Sequence, residues 1–268
     1  ADLTSLLSLM GTAYGTVGNE RKELTLLEEA LQLAEETFGK RHPETAKALS
    51  NLGNVVGRLG DAKRQKKLLS RAFAIHERAY GPEHPEGAMI LSNLASAYGR
   101  LNDKATMCQL LERALPILEK AFGPERGEVA VALTNLAVAK GALGDHERKR
   151  QLLERALAIQ EREFGCEHRE VALVLFHLGT ARNVLGDHAG ARVLLERTLA
   201  IREREWGADH LDVGRALSGL VTACGGLGDF PAQRRHLLRG LEVLRRARGG
   251  EHPDVLAVAA ALPEEADA

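Results

Sequence analysis

Histidine, cysteine and glycine are the residues whose placement in this chain invites a chemical reading. Ten histidines suggest metal binding. Five of them climb a ladder with a 42-residue step, His42, His84, His168, His210 and His252, in which Arg126 takes the third rung. Zinc draws its ligands to about 2 Å from one centre. Stacked helical units set successive rungs about 10 Å apart. The ladder therefore cannot close on one ion, and no metal site is expected. His76, His146, His188 and His236 lie off the ladder and are expected to face solvent. Cys108 and Cys224 fall in helical stretches and Cys166 in a connecting loop, none with a base held beside it by helical spacing. Gly225-Gly226 follows a helix rather than a strand, and no Gly-Lys-Ser/Thr ending exists. Neither H-E-x-x-H nor G-x-S-x-G occurs. The chain reads as a non-enzyme with no cofactor and no small-molecule substrate.

Composition narrows the classes further. Hydrophobic residues make up 44% and charged residues 27%, a soluble globular balance rather than a disordered one. A formal net charge of -1 argues against a chain built mainly to grip nucleic acid. No apolar run is long enough to cross a bilayer. Three scattered cysteines make no disulfide framework, so a reducing compartment, read as cytoplasmic, is expected. The one charge asymmetry is Arg234–Arg248, where six arginines face Glu242 alone. That run suits nucleic acid, anionic lipid or an acidic partner. A solvated face of a terminal repeat is the stronger reading, because the interleaved aromatics of single-strand binders are missing there.

The ladder belongs to a larger pattern. Gly39, Gly81, Gly123, Gly165, Gly207 and Gly249 recur every 42 residues, each three places before a ladder histidine or Arg126. A second series falls 21 residues later, Gly60, Asn102, Gly144, Gly186 and Gly228, each followed by aspartate. Between these breaks the apolar residues keep helical spacing. In the third copy Leu91, Leu94 and Tyr98 stripe the first helix, and Leu111, Ala114 and Leu118 the second. Pro85 suits a first turn, Asp103 can cap the second helix, and Gly123 suits a left-handed C-cap. Pro116 should kink or loosen its helix. No strand alternation appears. One helix pair cannot bury its own stripe, but stacked pairs share a core. The expected fold is all-α: a right-handed α-solenoid of tandem helix-turn-helix repeats. It forms a single domain over residues 1–268, with six 42-residue repeats and about thirteen helices. A partial first helix spans 1–17 and a C-terminal capping helix 252–262. Inter-repeat turns fall near 39–42, 81–84, 123–126, 165–168, 207–210 and 249–252.

The run G-P-E-H-P…L-S-N-L-A-S-A-Y…L-L-E-R-A-L-x-I resembles the tetratricopeptide repeat in its long form, as in kinesin light chain and related proteins. The resemblance covers nearly the whole chain. It departs five places after each inter-helix glycine, where the family carries a small residue. Here stand Glu23, Gln65, Met107, Lys149, Ala191 and Gln233, of which only Ala191 is small, and the bulk of the others should push paired helices apart or send a stem out to solvent. The aromatic place also decays, through Tyr14, Val56 and Tyr98 to Lys140, Arg182 and Cys224, and Lys140 and Arg182 imply that it is partly exposed in the later repeats.

The resemblance implies a binding face. First helices of that family line a concave groove, where an asparagine pairs with the backbone of an extended peptide. The matching residues are Asn51, Asn93 and Asn135, followed in the series by His177 and Gly219. A carboxamide donates and accepts at once, so it can read a peptide group whatever the side chain. Lys47, Asn54, Arg58, Ser96, Arg100 and Arg215 flank that row. Lys47 with Asn51 and Asn93 is similar to half of a carboxylate clamp, but Val131 and Asn135 stand where the other half needs a cation. Arg58 and Arg100 would make the N-terminal half basic, favouring an acidic or phosphorylated segment. The competing view is that these asparagines only bond a neighbouring helix. A glycine row on the first helices, Gly15, Gly57, Gly99, Gly141 and Gly225, reads either as close approach of successive first helices or as room for a ligand backbone. The expected function is a non-catalytic scaffold for a protein or peptide partner. The alternative is a structural spacer or assembly subunit docking through its convex face or ends. Nucleic acid is the third choice.

Overall fold

A computed structural model describes residues 2–250. The expected helix 252–262 lies outside the described residues. Within them the chain is all-α, with twelve helices and no strand. It divides into two compact units, Ala1–Leu143 and Gly144–Ala268. The first holds α1 (Asp2–Thr16), α2 (Glu20–Phe38), α3 (Pro43–Arg58), α4 (Ala62–Tyr80), α5 (Pro85–Arg100), α6 (Lys104–Phe122) and α7 (Gly127–Ala142). The second holds α8 (His146–Phe164), α9 (Arg169–Val184), α10 (His188–Trp206), α11 (Leu211–Gly226) and α12 (Phe230–Arg248). Each full repeat is a 16-residue first helix and a 19-residue second helix.

The punctuation residues fix these boundaries. Asn19 and the aspartates 61, 103, 145, 187 and 229 each accept a backbone N–H three residues on, capping a second helix. Asn102, where other repeats use glycine, sits at φ 63°, a left-handed conformation that asparagine tolerates. Gly123 differs from expectation. Its φ of 91° and ψ of 151° are not left-handed helical but extended at positive φ, a region essentially reserved for glycine. α6 continues unbroken across Pro116.

The histidine ladder has a structural account. Nδ1 of His42, His84, His168 and His210 accepts the backbone N–H two residues on, capping the first helix. The same rings lie against the aromatic residue that ends the preceding helix. Phe164–His168 is stacked at 4.8 Å and Trp206–His210 at 5.4 Å. Arg126 makes no side-chain cap. Replacing Arg126 by histidine is therefore expected to stabilise the protein by about 0.5–1.5 kcal/mol, restoring a cap beside Phe122. Thermal unfolding checks this. An unchanged or lowered Tm would remove the capping account of the ladder.

Packing follows one rule inside each unit. Every helix packs on its chain neighbours, and first helices also touch the next first helix, α1 on α3, α3 on α5, α5 on α7, and α9 on α11. Among the described residues no second helix approaches the next second helix in this way. The first helices thus form the closely spaced side of each unit. Fully buried leucines, among them Leu49, Leu69, Leu91 and Leu133 in the first unit and Leu175, Leu195 and Leu217 in the second, fill the space between the layers.

The bulky residues do not spread the helix pairs. A Cβ on Gly15 would strike the Glu23 carboxylate, one on Gly57 the Gln65 amide, and one on Gly99 would lie 2.7 Å from Met107 Sδ. Gly225 stands in the same relation to Gln233 at 2.5 Å. The glycine row on the first helices makes room for the large residue of its own second helix. Where the first helix carries Asn183 instead, the second carries the small Ala191, fully buried. Size has been exchanged between the two positions, and the spacing of the pair is kept.

Candidate functional site

In the first unit the expected groove residues come from α3, α5 and α7. A cavity of about 220 Å³ beside α4 is lined by Lys47, Asn51, Asn54, His76, Met89 and Asn93, among others. A second, of about 240 Å³, carries Met89, Asn93, Val131 and Asn135. A third, of about 230 Å³ beside α1, takes Thr4, Ser8, Lys47 and Asn51. Asn51 and Asn93 each belong to two adjoining cavities, so the asparagine row runs along the floor of a continuous set of hollows in this unit. Among the described residues no protein group hydrogen-bonds the side chains of Asn51, Asn54, Asn93 or Asn135. The competing view, in which these amides tie down a neighbouring helix, has no bond to rest on.

Other expected members lie apart. Arg58 forms an ion pair with Glu23, which is 2% exposed, and so braces α3 against α2. Arg100 donates to Gln65 Oε1 at 2.6 Å, the equivalent brace one repeat on. Neither arginine, nor Ser96, lines these cavities. Lys47 does, but its ammonium is 2.9 Å from Glu44, and that hydrogen bond pushes its pKa up. Glu86 and Glu128 also reach the hollows. Arg58 and Arg100 therefore do not make these hollows basic.

Lys40, Arg41, Arg71 and Arg78 gather about a cavity of the first unit apart from the asparagine row, and arginines gather again in the second unit. A cavity of about 360 Å³ is lined by Arg169, Leu173, Phe176, His177, Arg202 and Arg215, with Trp206, Glu170 and Asp212. His177 and Arg215, both expected from sequence, meet here. Burial, followed by the nearby Lys149 and Arg202 charges, pushes the His177 pKa down to about 4, so the imidazole is neutral near pH 7. Arg202 was not expected. It is 4% exposed, and its guanidinium lies 4.6 Å from the Phe176 ring centroid.

Arg202 and His76 share one register on the second helices. The series is Ala34, His76, Leu118, Gln160 and Arg202, spaced by 42 residues and each followed by a glutamate. All five are buried. His76 was expected in solvent. It is 2% exposed, with Nε2 3.2 Å from Glu86 and its ring packed among Tyr80 and His84. Gly87, where other repeats carry threonine or valine, leaves it that room. The signal in the sequence was a letter that changes type inside a nearly constant frame.

The remaining candidates are disposed differently. Cys108 and Cys224 are buried, which pushes their thiol pKa values up and away from reactivity. Lys140 and Arg182 are half-buried, as expected of the decayed aromatic place, and pair with Glu112 and Glu154. Tyr98 keeps that place aromatic and stacks under Lys66 at 4.4 Å. The arginine run of α12 is partly neutralised: Arg239 pairs with Glu203, and Arg246 with Asp209 and Glu242, both at 2.8 Å. Among the described residues no helix is long and apolar enough to cross a membrane.

Comparison with known proteins agrees with this architecture. Tetratricopeptide repeat models match residues 2–64, 105–162 and 143–204, and a second model of that description matches 45–86, together more than half of the chain. No curated protein matches the sequence. Among solved structures, BtubC (BKLC) from P. vanneervenii is 27% identical with a TM-score of 0.68, covering 85% of this chain and 89% of its own. The kinesin light chain TPR-like repeats of Podosopora anserina are 24% identical with a TM-score of 0.63, over 75% of this chain and 94% of that one. A Rap protein complexed with competence and sporulation factor is 15% identical with a TM-score of 0.66, over 96% of this chain and 74% of that one. The last two likenesses speak to fold alone.

Proposed function

This chain belongs to the tetratricopeptide repeat family, and from that premise we propose that it is a non-catalytic scaffold that holds an extended peptide segment of a protein partner along its first helices. The observation that carries this reading is the row of unpartnered carboxamides at Asn51, Asn93 and Asn135, each opening on a hollow of peptide dimensions. Buried or half-buried amides ordinarily find partners within the protein. Asn93 and Asn135 are half-buried and Asn51 is exposed, and the three, on successive first helices, are placed to accept and donate to a peptide backbone. Met89 and Val131, both exposed, supply apolar contact between them. Within the second unit the cavity of Arg202 and Arg215 suits an acidic side chain, whereas Arg58 and Arg100 give the hollows of the first unit no such preference. The Rap protein seen complexed with competence and sporulation factor shows that the same fold can hold a partner.

The test is a pull-down from native extract with the intact protein and the Asn51/Asn93/Asn135→Ala variant side by side. Each neutral hydrogen bond contributes about 0.5–1.5 kcal/mol, so the triple replacement is expected to weaken a groove partner by roughly tenfold to a thousandfold. Partners lost only with the variant identify the cargo. Partners retained equally by both proteins would remove the groove reading and favour docking through the convex face or the ends, as a spacer or assembly subunit would.

A further inference from the structure

The cavity between α9, α10 and α11 contains a charge without a counter-charge. Arg202 is almost wholly buried, yet among the described residues no carboxylate pairs with it. Among the described residues its one hydrogen bond is from Nη1 to the backbone carbonyl of Asp212 at 2.7 Å. A guanidinium carries five N–H donors in a planar fork, and burying it unpaired is costly. The two acidic side chains of the cavity pair with its other two arginines. Asp212 accepts from Arg215 at 2.8 Å, and Glu170 lies 3.7 Å from Arg169 Nε. Three guanidiniums face two carboxylates, so the lining has one positive charge in excess. His177, held neutral, does not offset it. The same register carries Ala34 and Leu118 in other repeats. The fold therefore does not require a cation there.

We propose that this cavity is a subsite for one side-chain carboxylate of a bound peptide, gripped by the buried Arg202 and the exposed Arg215. Phe176 and Trp206 lie against the methylene stem of that residue. A single carboxylate neutralises the excess charge, and its planar oxygens match the guanidinium fork. The proposal rests on the peptide-binding reading given above, but it concerns a residue on a second helix rather than the asparagine row.

The experiment follows the histidine ring resonances of the full chain by NMR during titration with a short acetylated, amidated peptide bearing one central glutamate. Its glutamine counterpart and a phosphoserine counterpart are run beside it, and His177 is assigned by its loss in His177→Gln. The glutamate peptide should shift His177 saturably. The glutamine peptide should bind about tenfold to a hundredfold more weakly, as expected on removing a charge-assisted hydrogen bond. Arg202→Met should abolish the shift without lowering the Tm, because an apolar side chain of similar length suits a buried site. Arg202→Lys, which keeps the charge and loses the fork, should weaken binding and serves if the methionine variant folds poorly. Equal shifts from the glutamate and glutamine peptides, or unchanged binding by Arg202→Met, would overturn the proposal. Tighter binding of the phosphoserine peptide would overturn the choice of carboxylate. The short probe does not span the asparagine row, so the Asn51/Asn93/Asn135→Ala variant should still bind it. A partner unaffected by that triple variant would remove the groove reading and leave this subsite standing.

Discussion

Leu195→Ala is expected to cost about 3–5 kcal/mol, toward the upper end of the range for buried leucines. Leu195 on α10 is fully buried between two glycines, Gly179 on α9 and Gly219 on α11. A Cβ on Gly179 would lie 2.7 Å from its Cγ, and one on Gly219 3.0 Å from its methyl carbons. The two first helices close on this one side chain with bare backbone. When the side chain is cut back, neither glycine has atoms to move into the space, so the cavity stays open and its dispersion contacts are lost. The same geometry predicts a reversal. Gly179→Ala alone should destabilise by about 1–3 kcal/mol through overpacking. In the Leu195→Ala background the added methyl enters the cavity and should recover part of the loss. Chemical denaturation of the two single variants and the double variant measures both effects. Additive losses would mean that Gly179 and Leu195 do not share the space the structure gives them.

The repeat made most of the fold legible, because its signals are local and doubled. A glycine that must hold positive φ, an aspartate that caps three residues on and a proline in a first turn each set one boundary, and the 42-residue period repeats each of them. The positions that misled are those where two residues distant in sequence decide together. Glu23 and Gln65 look too large for their place until Gly15 and Gly57 are seen opposite them. His76 looks like a surface histidine until Gly87 makes room beside it. The asparagine row was visible because its spacing is that of the repeat. Arg202 was not, because a charged letter on an amphipathic helix reads as solvent-facing, and only the packing of Phe176 and α11 around it shows otherwise. Arg58 and Arg100 were placed in the groove for the opposite reason. They share its helices, but each turns back to the residue that fills the neighbouring glycine's space.

That last point gives the second large prediction. Arg58→Met is expected to destabilise the protein by about 1–3 kcal/mol while leaving groove partners bound as before. The replacement strands the Glu23 carboxylate, which is 2% exposed and has Arg58 as its ion-pair partner. A fully buried pair would lose more. Arg58 is 56% exposed along its side chain, so water can reach part of the vacated space and lessen the loss. Glu23→Gln in the same background removes the stranded charge while keeping the shape that Gly15 accommodates. The double variant should therefore be more stable than Arg58→Met alone, with a coupling energy that a double-mutant cycle isolates. The two roles available to Arg58 separate cleanly in this experiment. A brace shows itself in the unfolding transition and in recovery by Glu23→Gln. A groove residue would leave the transition unmoved and reduce partner affinity instead, and that result would return Arg58 to the binding face and strip Glu23 of its structural partner.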